Sequence, residues 1–171
     1  MLLKDKDAKY QRESGVLLHI SSLPGAHGIG SFGKEAYEFV DFLKKSGQKY
    51  WQILPLCPVG KGNSPYSSVS AFAGEILFID LNTLVRDSYL SPDDITEREF
   101  PEHTDYKAAR SYKLPLIKKA ADNFDIKNRD FKKFLRDNAY WLPDYALFMA
   151  IKEVYHGKSF TELDDGLKYR L

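Results

Sequence analysis

The sequence predicts an α/β fold, and three observations support that class. Two short apolar runs, at 15–20 and 50–56, are typical of buried strands. Between them, residues 34–46 place four apolar side chains on one helical face: Ala36, Phe39, Val40 and Leu43. A strand, a helix and a second strand in this order form a βαβ unit, and such units build parallel sheets with right-handed crossovers.

The remaining elements follow in order along the chain. Gly47 stands in the position that ends a helix, directly after the first helical pattern. A short strand is predicted at 77–81, with Asp80 near its carboxyl end. Residues 91–104 are charged and contain two prolines, which is typical of a surface segment. Apolar periodicity then predicts three helices, around residues 106–120, 131–135 and 143–155, the last with a proline in its first turn.

The composition excludes several classes of protein. The 171 residues include 25 Lys and Arg against 24 Asp and Glu, and a net charge of +1 argues against an electrostatic grip on nucleic acid. The longest apolar runs, such as 76–79, are far shorter than the ~20 residues of a membrane-spanning helix. The charges at residues 4–7 are unlike a signal peptide, so we expect a cytoplasmic protein that binds neither nucleic acid nor membrane.

The cysteine and histidine content argues against a metal centre. Cys57 is the only cysteine, so neither an internal disulfide nor a cysteine-based zinc cluster can form. The four histidines share no metal-ligand spacing. His19 lies within an apolar run, where a hydrogen-bonded core histidine is the expected state. We therefore expect no metal site.

Two long loops indicate where a ligand would bind. Loops 21–33 and 57–74 are rich in small and turn-forming residues, and each leaves the carboxyl end of a predicted strand. Because ligands of parallel α/β folds bind beyond those strand ends, we expect the two loops to lie side by side. The glycines at 28–33 match a dinucleotide-binding pattern. However, the turn is too long for that motif, and the second strand ends without an acidic residue to hold a ribose.

The second loop contains a group of residues that suits a neutral, polyhydroxylated ligand: Asn63, Ser64, Pro65 and Tyr66. A sugar needs an apolar face for stacking and directional hydrogen-bond partners, and it needs no charge. The alternative is structural, with Tyr66 filling the core while Ser64 and Ser68 form turns. The residue pattern leaves both interpretations open, and it offers no convincing pair of catalytic side chains.

Five blocks of sequence occur in a characteristic order, at residues 14–30, 50–56, 63–66, 70–74 and 141–150. Together they resemble the 4-α-glucanotransferases, the family of amylomaltase and disproportionating enzyme. The resemblance implies transfer of α-1,4-glucan segments between maltooligosaccharides, with no metal and no organic cofactor. It also implies a retaining mechanism with two carboxylates, one a nucleophile and the other an acid and then a base.

The same resemblance implies the N-terminal part of a (β/α)8 TIM barrel with a mostly helical inserted subdomain. A whole barrel needs ~250 residues, more than this chain has. We predict a flexible tail at 1–11, the first barrel strands and substrate loops at 12–90, and the helical subdomain at 91–171.

The resemblance also implies which residues of this chain contact glucan. Ser64 and Tyr66 match family positions that line the donor subsites, and Pro65 fixes the turn between them. The family's catalytic carboxylates lie on later barrel strands, so no catalytic residue is assigned to this chain.

Three features depart from the family pattern. Glu75-Ile76 stands where the family usually has Asn-Pro, and Lys61 stands where some members carry an aromatic ring for a second glucan site. Near the end of the chain, Phe160 and Leu163 replace tryptophans that are common in the family. Without the carboxylates, this chain alone is expected to be inactive, and the exposed sheet edges of a partial barrel favour self-association. The alternative function is a catalytically dead glucan-binding or interaction module.

Overall fold

Two short strands near the N-terminus pair in parallel, as the βαβ pattern predicts. The computed structural model describes residues 12–169, so the flexible tail predicted at 1–11 lies outside the described residues. β1 (Gly15–Leu17) pairs with β2 (Tyr50–Gln52), and Val16 stands opposite Trp51. The predicted strand order and direction are therefore confirmed.

Helix α1 (Lys34–Lys45) connects the two strands and covers one side of them. Ala36 and Leu43 are buried, and Phe39 packs edge-on against Trp51 with ring centroids 5.0 Å apart. Val40, the fourth residue of the predicted apolar face, is exposed. Gly47 has a φ of 72°, and this left-handed conformation, which glycine adopts without strain, ends the helix as predicted.

The strands are shorter and more exposed than the apolar runs predicted. After β2, the amide of Leu54 donates to the Nδ1 of His19 at 3.3 Å, and Pro55 has no amide hydrogen, so the ladder cannot continue. Leu17 and Tyr50 are exposed because the sheet of the described chain has two strands and is covered on one side. The prediction that both strands are buried was wrong for these residues.

The strand predicted at 77–81 is also wrong, because the chain there forms two helical turns. A 3₁₀ turn covers Ile76–Phe78, and α2 covers Leu81–Arg86. Each begins with an acidic side chain that accepts a hydrogen bond from a backbone amide: Glu75 from Leu77 at 3.1 Å, and Asp80 from Thr83 at 2.7 Å. Such capping favours a helical turn over a strand.

Helix α3 (Tyr106–Asp122) confirms the predicted helix around 106–120 and joins two apolar clusters. Its Ala109 belongs to the cluster that contains Ile20, Leu77 and Phe78. Further along the same helix, Ile117 and Ala120 pack with Leu81 and Leu90. These two clusters are the core around which the first part of the chain folds.

The chain divides into two compact units between Phe124 and Asp125. In the second unit, α4 (Arg129–Asp137) and α5 (Leu142–Val154) confirm the two remaining predicted helices, and Pro143 lies in the first turn of α5. A 3₁₀ turn and the short helix α6 (Asp165–Tyr169) follow. The subdomain boundary predicted after residue 90 stays a prediction. No helix between residues 12 and 169 is long and apolar enough to cross a bilayer.

Candidate functional site

Residues 57–74 form a closed loop whose two ends meet directly beyond β2. The backbone amide of Glu75 donates to the carbonyl of Leu56 at 2.8 Å, so the chain leaves and returns at the same point. This position beyond the carboxyl end of a parallel strand is where the sequence predicted a binding site.

The loop folds back tightly on itself near its tip. A side chain at Gly60 would place its Cβ 1.7 Å from the carbonyl oxygen of Ser67, so only glycine allows this close approach. Gly62 and Asn63 follow with φ angles of 72° and 58°, two consecutive left-handed residues that reverse the chain. Asparagine tolerates this conformation better than most residues, which explains the Gly-Asn pair before Ser64.

Ser64, Pro65 and Tyr66 form one rigid turn. Pro65–Ser67 is a 3₁₀ turn, and the Oγ of Ser64 accepts a hydrogen bond from the amide of Tyr66 at 3.2 Å. Ser64 is therefore a turn former, as the structural alternative proposed. Its hydroxyl still has a hydrogen to donate, so a turn-forming role is compatible with a ligand contact.

The Tyr66 side chain extends into solvent and does not fill the core. The residue is 72% exposed, which rules out the structural alternative for the tyrosine within this chain. Pro65 precedes it with a fixed φ, so the loop presents the phenol ring at a defined place. A glucan contact by Ser64, Pro65 and Tyr66 stays a prediction.

An open groove of about 500 Å³ lies at the root of the loop. Residues 53–57, which leave β2, line one side, and residues 71–74, which return from the loop, line the other. Phe72 lines this groove and is 61% exposed. Sequence analysis did not select Phe72, although an aromatic residue within a stretch rich in serine and glycine was the available signal.

The first loop, residues 21–33, has other neighbours. The amide of Phe32 donates to the carbonyl of Phe78 at 2.9 Å, and Thr104 Oγ1 donates to the carbonyl of Ser21 at 2.8 Å. The two strand ends do lie together, through the contact of Leu54 with His19. The expectation that both loops form one site stays a prediction.

Three charged residues are buried close to the point where loop 57–74 ends. Glu75, Asp80 and Lys113 are all buried, and the Nζ of Lys113 donates to the carbonyl of Leu77 at 2.5 Å. Burial lowers the pKa of Lys113 to about 8, although the carboxylates of Asp80 and Glu75 act in the opposite direction. Burial, followed by the charge of Lys113, also lowers the pKa of His27.

Two histidines that could have served as ligands are buried and pack against aromatic rings. Burial lowers the pKa of His19, whose ring contacts Phe78 edge-on. The ring of His27 stacks on Tyr112 with centroids 5.9 Å apart. Across the part of the chain that the structure describes, no three His, Cys, Asp or Glu side chains converge as a metal site would require.

Comparison with known proteins then identifies the family. The 4-alpha-glucanotransferase family pattern matches residues 18–170, nearly the whole chain. The chain belongs to the 4-α-glucanotransferase family. It is 49% identical over 162 residues to a 4-alpha-glucanotransferase from Streptococcus pneumoniae serotype 4. That match covers 91% of this chain and 32% of the relative. A 4-alpha-glucanotransferase from Clostridium butyricum is 46% identical over 157 residues, with 90% and 32% covered.

A solved structure of the family shares the fold of this chain. It is the amylomaltase from Streptococcus agalactiae in complex with acarbose, with 45% sequence identity and a TM-score of 0.80. The match covers 91% of this chain and 32% of the amylomaltase. The chain thus spans about a third of the length of these 4-α-glucanotransferases.

Proposed function

We propose that this chain carries a glucan-binding loop of a 4-α-glucanotransferase that transfers α-1,4-glucan segments between maltooligosaccharides. Family membership and the similarity to an amylomaltase that binds acarbose support the reaction and the class of substrate. The observation that carries the proposal is the rigid turn of Ser64, Pro65 and Tyr66, presented to solvent beyond the end of β2.

The chemistry of the loop fits a glucan. The exposed ring of Tyr66 offers an apolar face for a sugar ring, and its hydroxyl can donate or accept a hydrogen bond. The turn is already fixed by Pro65 and by the hydroxyl of Ser64, so binding would order few additional bonds. Phe72 adds a second exposed aromatic ring at the root of the same loop.

The fold and the mechanism extend this proposal. In it, β1, α1 and β2 begin a (β/α)8 barrel, and the parallel pairing of the strands supports this arrangement. Transfer would follow the retaining route, with the nucleophilic carboxylate and the acid/base carboxylate on parts of the enzyme that this chain does not include. The cytoplasmic location stays a prediction.

A pair of tyrosine substitutions tests the proposal. Tyr66→Ala should weaken binding of maltoheptaose to the chain by about tenfold, because it removes the stacking face and the hydroxyl. The Tm should stay unchanged, since substitutions of exposed residues change stability little. Tyr37, on α1, is 73% exposed and provides the matched control, so Tyr37→Ala should leave both quantities unchanged.

Binding is measured by NMR titration of the chain, and the Tm by circular dichroism. Equal maltoheptaose affinity in the Tyr66→Ala variant and the unaltered chain would contradict the proposal. A chain that folds but does not bind maltoheptaose would contradict it as well.

A further inference from the structure

At the root of the loop that carries Tyr66, the buried side chain of Glu75 adds to the backbone hydrogen bond between Glu75 and Leu56. The carboxylate of Glu75 accepts a hydrogen bond from the amide of Val59 at 2.8 Å through Oε2, and one from the amide of Leu77 at 3.1 Å through Oε1. Val59 lies where the chain enters the loop, and Leu77 lies just after it returns. One side chain therefore ties both ends of the loop together.

This carboxylate needs a positive partner, because its side chain is only 1% exposed. Helix α3 supplies one: the Nη2 of Arg110 lies 3.6 Å from the Oε1 of Glu75. Three residues further along α3, Lys113 donates to the carbonyl of Leu77. Residues three apart share a helix face, so Arg110 and Lys113 of α3 both face the segment that directly follows loop 57–74.

We propose that Glu75 and Arg110 are positioning residues for glucan, which hold loop 57–74 in the arrangement that presents Ser64 and Tyr66. The inference rests on the proposed function of that loop. A carboxylate offers two acceptor oxygens to the two amides, whereas an amide side chain offers one oxygen and a donor.

The test compares substitutions at both ends of the pair. Glu75→Gln replaces an acceptor with a donor and removes the charge that Arg110 faces. Arg110→Met removes the cation and keeps much of the apolar stem, whereas Arg110→Lys restores a cation at the same position. Lys119→Met is the matched control, because Lys119 lies on the same helix and pairs with Asp94, away from the loop.

Two measurements on the 171-residue chain separate positioning from simple stability. Amide hydrogen exchange within residues 59–70 should become about tenfold faster in Glu75→Gln, as expected for loss of one charge-assisted hydrogen bond between that carboxylate and a backbone amide. The increase should be smaller in Arg110→Met, because the Arg110–Glu75 contact is an ion pair at 3.6 Å with a 43% exposed arginine side chain. Exchange within α1 should stay unchanged, and the Kd for maltoheptaose should rise by the corresponding factor in each variant. Arg110→Lys should recover most of the affinity, and Lys119→Met should match the unaltered chain.

The outcomes distinguish this inference from the proposed function. If the unaltered chain binds maltoheptaose and both Glu75→Gln and Arg110→Met bind it equally well, the positioning role is overturned and the proposed function stands. If the unaltered chain does not bind maltoheptaose, the proposed function fails and this inference fails with it. If Glu75→Gln does not fold, Arg110→Met decides: loop exchange and affinity equal to those of Lys119→Met overturn the inference.

Discussion

Lys113 is fully buried on α3, and its titration should make the chain more stable as the pH rises above 8. Its neighbours are the carboxylates of Asp80 and Glu75, the ring of His27, and the carbonyl of Leu77 that accepts its hydrogen bond. Burial outweighs the two carboxylates and lowers the pKa from 10.5 to about 8. The folded chain therefore releases this proton at a lower pH than the unfolded chain does.

The sign and size of the effect follow from that difference. Between pH 8 and pH 10.5 the unfolded chain holds a proton that the folded chain has lost, so the free energy of unfolding rises with pH. The added free energy of unfolding is fully present above pH 10.5, and it is lost as the pH falls through 8. The whole effect corresponds to about 3 kcal/mol, of which about 2 kcal/mol falls between pH 7 and pH 9.5.

The assay compares urea unfolding of the chain and of Lys113→Met at pH 7 and pH 9.5. Methionine keeps the straight, apolar part of the side chain and cannot titrate. The free energy of unfolding of the unaltered chain should rise between the two pH values by about 2 kcal/mol more than that of the variant. Lys119→Met, which removes a half-exposed lysine of the same helix, should behave like the unaltered chain. An equal change with pH in the unaltered chain and Lys113→Met would refute the reasoning.

Three further predictions concern activity, association and the loop. With maltotriose, the chain alone should give no glucose and no longer products, because retaining transfer needs a pair of catalytic carboxylates and none is assigned to this chain. Turnover above that of a mock purification would contradict this. Light scattering should detect self-association of the chain through the exposed sheet edge at Leu17, and the Leu17→Lys variant should associate more weakly. A chain that stays monomeric at high concentration would contradict this prediction. Gly60→Ala should lower the free energy of unfolding by roughly 1–3 kcal/mol, since the added Cβ would overlap Ser67. Gly74→Ala is the control, because no atom lies within 4 Å of the position of its Cβ, and equal stabilities of the two variants would contradict the prediction.

The helices could be predicted from the sequence because their signals are local. The apolar spacing of α1 and α3 and the glycine after α1 all act within a few residues, and the structure confirms them. The strand predicted at 77–81 failed for a reason that was also local. An acidic residue before an apolar run can cap a helical turn, and both Glu75 and Asp80 do so. Apolar content alone cannot separate a short buried strand from a short buried helix.

The charged pair of Glu75 and Arg110 could not be predicted, because its partners are far apart in the sequence. Arg110 lies within an ordinary helical pattern, where a charged residue is expected to face solvent. Lys113 and Leu77 are 36 residues apart, and nothing in the sequence pattern pairs them. Only the packing of α3 against the 3₁₀ turn Ile76–Phe78 brings these groups together. The position of Ser64 and Tyr66 on a turn, in contrast, followed from the proline between them.

The charged side chains next to the ends of loop 57–74 can fix the distance between those ends, which apolar side chains could not do. Replacing a buried charged group and its partner with apolar side chains is often neutral or stabilising, so stability alone does not explain why the buried carboxylate of Glu75 lies beside Arg110, whose side chain is 43% exposed. The amides of Val59 and Leu77 point at Glu75, however, and each would lose its hydrogen-bond acceptor if that carboxylate were apolar. Directional bonds from one side chain to two separate backbone amides fix the distance between the two ends of the loop. Apolar packing is not directional and would let those ends slide. We therefore expect the charged root to matter most for the order of loop 57–74, and so for how Tyr66 meets a glucan.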